Sequence, residues 1–140
     1  MKHTLQAKKS LGQNFLNNKT IIQKIVKESE QYIDKDTQIL EIGPGTGELT
    51  TEILDKFNKN KVFCIEADDR AIPLLKERFP EKTYKNLHLI HQDIRKYTPD
   101  TDKNLKKYII IANIPYYLTG YIIRQFLESK NQPKAMILMV

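Results

Sequence analysis

The sequence predicts an α/β fold in which a mostly parallel, doubly wound sheet carries helices on its faces. Three observations support this fold class: short apolar runs alternate with helical patterns, a glycine-rich turn follows the first run, and polar side chains directly follow three later runs. Alternating strands and helices pack as a parallel sheet with right-handed crossovers. With 140 residues and 40% hydrophobic content, the chain is long enough and apolar enough to form one domain with one hydrophobic core.

Five strands and four helices are expected in order along the chain. The predicted strands lie near 37–42, 61–66, 87–92, 108–112 and 134–140. The predicted helices run from a cap at Asn17 or Asn18 to about Gln31, and then near 47–58, 70–79 and 118–129. The third helix requires Pro73 in its first turn, where a missing N–H is tolerated. Residues 98–107 are polar and predict an irregular connection.

A glycine-rich turn links the first predicted strand to a helix. The segment from Glu41 to Gly47 reads EIGPGTG, and its glycines allow the backbone to approach a ligand closely. The helix that follows offers free N–H groups at its start. The G-x-G-x-G spacing differs from the G-x-G-x-x-G of dinucleotide sites. It therefore favours a smaller adenosine ligand over a pyrophosphate.

Two acidic residues at strand ends are candidates for the same pocket. Glu66 ends the second predicted strand, where a carboxylate can accept hydrogen bonds from both hydroxyls of a ribose. Asp93 follows the third strand, where a carboxylate can accept a hydrogen bond from the exocyclic amine of adenine. The alternative for each is a solvated loop acid.

The most informative segment is Asn113-Ile114-Pro115-Tyr116, which follows the apolar run at 108–112. The Asn side-chain oxygen and a neighbouring carbonyl can accept hydrogen bonds from the amine of a flat base, and the ring can stack on that base. The alternative is a strand end closed by a proline turn, with Tyr116 in the core. The glycine-rich turn and the two acids favour the base-binding interpretation.

The charge of the chain is concentrated at its amino end. The net charge is +6, and residues 1 to 27 contain six Lys and no Asp or Glu. A basic arm beside a base-binding pocket indicates a phosphate backbone as partner, while an ordinary Lys-rich surface is the alternative. We assign 1–16 as this arm, with Lys8 and Lys9 as its contacts to the phosphate backbone of a nucleic acid, and 17–140 as the domain that forms the pocket.

Other residue types limit the function classes. Cys64 lies in a predicted strand and is expected to be a buried core residue. His3, His88 and His91 lack metal-ligand spacing, and no metal site is predicted. The chain has no long apolar stretch or signal-like segment, so we expect a cytoplasmic protein that does not bind membranes.

Taken together, these motifs resemble those of the ribosomal RNA adenine N6,N6-dimethyltransferases. The matching stretches appear in family order and spacing over essentially the whole chain, and they are 8–16 (KKSLGQNFL), 41–50, 65–66, 92–93 and 113–116. Mild departures are Ala67 after Glu66 and Ile114 where Leu is common. The resemblance implies a Rossmann-like class I methyltransferase fold and S-adenosylmethionine as cofactor.

The resemblance also implies residue roles and partners. Base binding and catalysis are expected from Asn113, Ile114, Pro115 and Tyr116. The implied cofactor-binding residues are Asn14, Leu16, Gly43, Gly45, Glu66, Asp93 and Asn113. The implied reaction is dimethylation of N6 on two adjacent adenines near the 3′ end of small-subunit (16S) ribosomal RNA. The expected partner is the immature small (30S) subunit, and the full-length protein is expected to be monomeric.

Four alternatives remain open at this point. The sister family of erythromycin-resistance methyltransferases shares the Gln-Asn-Phe-Leu and Asn-Ile-Pro-Tyr elements, although the Gly-Pro-Gly turn favours the dimethyltransferases. A non-catalytic RNA-binding assembly factor on the same fold is opposed by the intact Asn113 segment. A DNA adenine methyltransferase is disfavoured by the basic arm, and a dinucleotide-dependent oxidoreductase by the glycine spacing.

The final apolar run, 135–140, predicts a buried strand within which the sequence stops. Because natural termini are usually exposed and polar, we expect the chain to be an amino-terminal fragment. In the resembled family, further strands and a small helical domain follow. The RNA grip of the whole protein is expected to lie partly in that domain.

Overall fold

A computed structural model describes residues 19–139. Within this range, four α-helices and five strands alternate. The helices are α1 Lys19–Ser29, α2 Glu48–Lys56, α3 Ala71–Arg78 and α4 Tyr116–Leu127. The strands are β1 Gln38–Ile42, β2 Val62–Glu66, β3 Leu87–His91, β4 Tyr108–Asn113 and β5 Ala135–Met139. Three short 3₁₀ turns occupy Glu30–Tyr32, Ile94–Lys96 and Pro99–Thr101.

The five strands form one parallel sheet in the order β3-β2-β1-β4-β5. The chain winds from β1 outward to β3, returns to place β4 on the other side of β1, and continues outward to β5. The order therefore reverses between β1 and β4. Ligands of open α/β sheets bind at such a switch point, outside the carboxyl ends of the strands.

The core lies on both faces of the sheet because successive side chains of a strand point to opposite faces. One face packs against α1, α2 and α3, and the other face packs against α4. On β4, for example, Ile109 and Ile111 belong to the first layer, whereas Tyr108 and Ile110 belong to the second. This double burial explains why the strands read as continuous apolar runs.

The fold class predicted from the sequence is confirmed, and each strand lies within a residue or two of its predicted bounds. The fifth strand pairs with the strand ending at Asn113, in a register that places Asn113 beside Met139. Pro73 is the third residue of α3, as its missing N–H requires. The predicted cap at Asn17 or Asn18 lies outside the described residues.

Four predicted helix boundaries differ from the structure by two residues. Helix α2 ends at Lys56 instead of near 58, and α4 ends at Leu127 instead of near 129. Helix α4 begins at Tyr116 instead of near 118, because Pro115 takes the N-cap position with φ −57° and ψ 141°. The first helix ends at Ser29, and the expected continuation to Gln31 is a 3₁₀ turn. Across residues 19–139, no helix combines the length and the apolar character that crossing a membrane requires.

Candidate functional site

Three connections converge at the carboxyl edge of the sheet, beside the switch point. They follow β1, β2 and β4, which are neighbours in the sheet. The first contains the glycine-rich turn, the second begins at Glu66, and the third begins at Asn113. Side chains that are distant along the sequence therefore face one region.

Gly43 places the glycine-rich turn against the end of β4. Its φ is +71°, and a Cβ built there would lie 4.0 Å from the carbonyl oxygen of Asn113 and 3.9 Å from Cγ2 of Ile114. Its N–H donates to the carbonyl oxygen of Ile65 at 2.8 Å. The turn thus continues the sheet by one hydrogen bond and then bends with a backbone conformation that favours glycine.

Gly47 has a different role, at the start of α2. It occupies the N-cap position with φ +94°, and a Cβ there would lie 2.8 Å from Cε2 of Phe79. A separation below 3 Å is a clash, so close packing and backbone conformation both exclude a side chain. This glycine fixes where the helix starts and therefore where its free N–H groups lie.

Glu66 connects the second strand to the glycine-rich turn. Its carboxylate is buried, with the residue 8% exposed. Oε1 accepts from the N–H of Gly45 at 2.9 Å, and Oε2 accepts from the N–H of Asp68 at 2.9 Å. Each oxygen retains a second acceptor position, so the carboxylate can also accept from a pair of hydroxyl groups.

Asp93 lies just beyond β3, and hydrogen bonds from a residue two positions later hold its carboxylate. It caps a 3₁₀ turn by accepting from the N–H of Arg95 at 2.9 Å. The same carboxylate accepts from Nε and Nη2 of Arg95 at 3.1 and 2.8 Å. These hydrogen bonds, the guanidinium first, lower the pKa of Asp93 to about 2. Asp93 is therefore ionised at neutral pH, and a ligand amine would share it with Arg95.

Asn113 is the last residue of β4; the residue is half-buried, and the nitrogen of its side-chain amide is buried. Its Nδ2 has no hydrogen-bond partner within residues 19–139. An unpaired buried donor is costly, and a ligand acceptor would satisfy it. Ile114 is buried beside it, whereas Tyr116 is mostly exposed. The alternative that placed Tyr116 in the core is wrong, and its ring is open to a partner.

Sequence reasoning gave no role to Glu41, which is buried near the carboxyl end of β1. Its Oε1 accepts from Oγ1 of Thr50 at 2.5 Å and from Sγ of Cys64 at 3.4 Å. Burial raises the pKa of Glu41 to about 7. The two hydrogen bonds lower this pKa, and the negative charge of Glu66 raises it further. The pair with Thr50 ties β1 to α2 directly below the glycine-rich turn. The only signal in the sequence is an acid inside an apolar run.

Some of the remaining predicted residues lie within residues 19–139, and the others lie outside this range. The expectation that Cys64 is buried is confirmed, and burial raises the pKa of its thiol. His88 stacks on Phe63, and His91 pairs with Asp69 at 2.8 Å. Among residues 19–139 no cluster of His, Cys, Asp and Glu could hold a metal ion. The predicted sites that lie outside the described residues are Lys8, Lys9, Asn14 and Leu16.

The sequence matches a known family along nearly its whole length. The profile of the family described as "Ribosomal RNA adenine dimethylase" matches residues 4–140. Two curated relatives carry the name "Ribosomal RNA small subunit methyltransferase A". The one from Dehalococcoides mccartyi is 40% identical over 140 residues, covering 99% of this chain and 46% of the relative. The one from Enterococcus faecalis is 39% identical over 144 residues, covering 99% and 47%. The chain thus spans about half the length of these relatives.

Solved structures of other proteins are similar to this fold. A dimethyladenosine transferase from Plasmodium falciparum is similar with a TM-score of 0.67 and 30% identity, over 85% of this chain and 40% of that one. Coclaurine N-methyltransferase, bound to N-methylheliamine and S-adenosylhomocysteine, is similar with a TM-score of 0.62 and 18% identity, over 81% of this chain and 33% of that one. The second similarity concerns the fold alone.

Proposed function

This chain belongs to the ribosomal RNA adenine dimethylase family, and from that premise we propose that the full-length protein transfers methyl groups from S-adenosylmethionine to N6 of adenine in small-subunit ribosomal RNA. More specifically, we propose two adjacent adenines near the 3′ end of that RNA, presented by the immature small subunit. The observation that carries the proposal is the position of Asn113-Ile114-Pro115-Tyr116 at the switch point, against Gly43.

The cofactor fits the residues at this edge of the sheet. The buried carboxylate of Glu66 has free acceptor positions for the two ribose hydroxyls. Asp93 is ionised and available to the adenine amine, and Gly43 and Gly45 allow close approach of the backbone. Nδ2 of Asn113, which has no partner among residues 19–139, can also donate to an acceptor on the cofactor. We include Asn14 and Leu16 in this site on the family resemblance. When bound, S-adenosylmethionine supplies an electrophilic methyl group on its sulfonium.

The chemical problem is that the lone pair of the adenine amine is delocalised into the ring. The side-chain oxygen of Asn113 and the carbonyl oxygen of Ile114 would accept the two N–H bonds of the amine and favour its pyramidal form. The exposed ring of Tyr116 would stack on the base and fix its plane. Pro115 holds the chain between these groups with a fixed φ.

Catalysis in this scheme depends on positioning and on electrostatic complementarity, and it needs no strong base. The amine proton leaves to solvent after transfer. Because a stacked adenine cannot reach Asn113, the target base must first be unstacked from its neighbours. The nucleotides around the target should therefore be single-stranded when bound.

The test is to map methylated adenines in the small-subunit RNA of a deletion strain. We expect the two adjacent N6,N6-dimethyladenines to be lost on deletion and restored by the wild-type gene. The Asn113→Ala gene should not restore them, although its product should accumulate normally. RNA that stays fully dimethylated in the deletion strain would refute the proposed function.

A further inference from the structure

The first turn of α4 carries two exposed aromatic rings. Tyr116 and Tyr117 are 71% and 72% exposed, whereas Tyr97 and Tyr108 are buried. Large apolar groups that are exposed together, unlike single ones, commonly mark an interaction site. The proposed reaction uses Tyr116 and leaves Tyr117 without a role.

The two rings face different directions. Their centroids lie 6.2 Å apart, and their planes are inclined by 79°. A flat base parallel to one ring is therefore nearly perpendicular to the other. Tyr117 cannot take part in stacking on the base that Tyr116 holds, and instead it presents a second face immediately beside the first.

The side of α4 that carries Tyr117 contacts the segment that carries Arg95. Tyr117 and Tyr121 are four residues apart and share one side of α4, and the hydroxyl of Tyr121 donates to the carbonyl oxygen of Arg95 at 3.1 Å. The pKa of Arg95 is raised, first by its hydrogen bonds with Asp93 and to a smaller extent by Tyr121 and Tyr117. The guanidinium therefore remains charged, on a residue whose backbone is hydrogen-bonded to the same side of α4.

Arg95 is also accessible to a ligand. Its side chain is 62% exposed, and Asp93 engages only its Nε and Nη2 groups. A guanidinium has further N–H donors on its fork, and a phosphate is a suitable acceptor for them. Lys96 is the next residue and adds a second positive charge. An aromatic face beside a cationic group is the usual arrangement for binding single-stranded nucleic acid.

We propose that Tyr117 stacks on the nucleotide next to the target adenine, and that Arg95 contacts the phosphate beside it. This inference rests on the proposed function, because it places an adenine of RNA between Tyr116 and Asn113. The two perpendicular rings would then hold two consecutive bases in different planes. Such a splayed pair cannot stack on itself, so Tyr117 would help to keep the target base out of its stack.

The experiment compares Tyr117→Ala and Tyr117→Phe with wild type in the full-length protein, using immature small subunits and labelled S-adenosylmethionine. Tyr32→Ala is the matched control, because Tyr32 is also exposed but precedes β1 and so belongs to the opposite edge of the sheet. We expect Tyr117→Ala to raise KM for the subunits by roughly 5- to 150-fold, the range for loss of one stacked base. Cofactor affinity should not change, and Tyr117→Phe and Tyr32→Ala should behave like wild type.

A wild-type KM in Tyr117→Ala, with active wild-type enzyme, would overturn this inference and leave the proposed function intact. Equal impairment of Tyr117→Phe and Tyr117→Ala would also overturn it, since stacking requires the ring and not the hydroxyl. A wild-type protein that methylates no RNA would overturn the proposed function, and this inference with it.

Discussion

The carboxylate of Glu66 accepts a hydrogen bond at 2.9 Å from the backbone N–H of Gly45, twenty-one residues earlier in the chain. This bond joins the end of β2 to the glycine-rich turn after β1. The turn is thus held in place by the same side chain that is proposed to bind the ribose of the cofactor. Two elements of the site depend on one another, and changes at Glu66 should affect both.

Cofactor affinity should depend strongly on Glu66. Replacing it with Ala removes the acceptors for two ribose hydroxyls, at a cost of about 1.5–3 kcal/mol for each charge-assisted bond. Titration calorimetry of the full-length protein with S-adenosylmethionine measures this loss. Glu77→Ala, an exposed acid on α3, is the matched control and should bind normally. Unchanged affinity in Glu66→Ala would remove Glu66 from the site.

Methyl transfer should require the amide of Asn113. We expect Asn113→Ala to lower kcat on immature small subunits by about 10²–10³-fold, the usual effect of losing one preorganised polar group at the reacting centre. Tyr116→Ala should also be impaired because the stacking ring is lost, whereas Tyr116→Phe should keep much of the activity. Thermal unfolding of each variant serves as the folding control. Turnover by Asn113→Ala at the wild-type rate would contradict the mechanism.

The free energy of unfolding should fall as Glu41 ionises. Burial raises its pKa to about 7 from 4.5, so between these values the folded protein holds a proton that the unfolded chain has released. The stabilisation is therefore complete below about pH 4.5 and is lost as pH rises through about 7, with a magnitude on the order of 3 kcal/mol.

The measurement for Glu41 is urea unfolding of wild-type protein and Glu41→Gln between pH 5 and 8. Gln stays neutral and can still accept from Thr50, so the variant should lack this part of the pH dependence. Other acids titrate equally in both proteins, and the difference between the two curves isolates Glu41. Parallel curves would show that Glu41 is ionised throughout this range.

RNA binding should depend on Lys8 and Lys9. Replacing both with Gln should weaken binding to small-subunit RNA and reduce the slope of log K against log salt by roughly one for each lost phosphate contact. Cofactor affinity should change less. Lys59→Gln combined with Lys61→Gln is the control, because these exposed residues precede β2 on the amino edge of the sheet. If the variant with both lysines replaced kept the wild-type salt slope, Lys8 and Lys9 would make no contact with RNA phosphates.

Local patterns explain which features were predictable from sequence. Runs such as 108–112 are apolar at every position because both faces of the sheet are covered, and this identifies strands without showing their order. The start of α4 was misplaced by two residues because aromatic residues after a proline fit a turn and a first helical turn equally well. The hydrogen bonds between Asp93 and Arg95 are also local, because these residues are only two positions apart. The sequence pattern nevertheless did not show whether the Asp93 carboxylate binds Arg95 or only water.

The role of Glu41 was not predictable for a related reason. An acid in a strand can face solvent, a ligand or the core, and these outcomes differ only in what packs against the strand. Here Thr50 and Cys64 come from α2 and β2, and they meet Glu41 only after the sheet has formed. The pKa of Glu41 is therefore a property of the packed core.

The sequence by itself determined the alternation of strands and helices, the glycine-rich turn and the polar residues at strand ends, because these depend on side-chain periodicity and on backbone conformations favoured by single residues. Only the tertiary structure decided which strand ends meet. The order β3-β2-β1-β4-β5 brings Gly43 against Asn113 and Gly45 against Glu66. It also leaves Tyr116 and Tyr117 exposed on α4. Such proximities arise from burial of both sheet faces, a property of the whole chain that no local segment encodes.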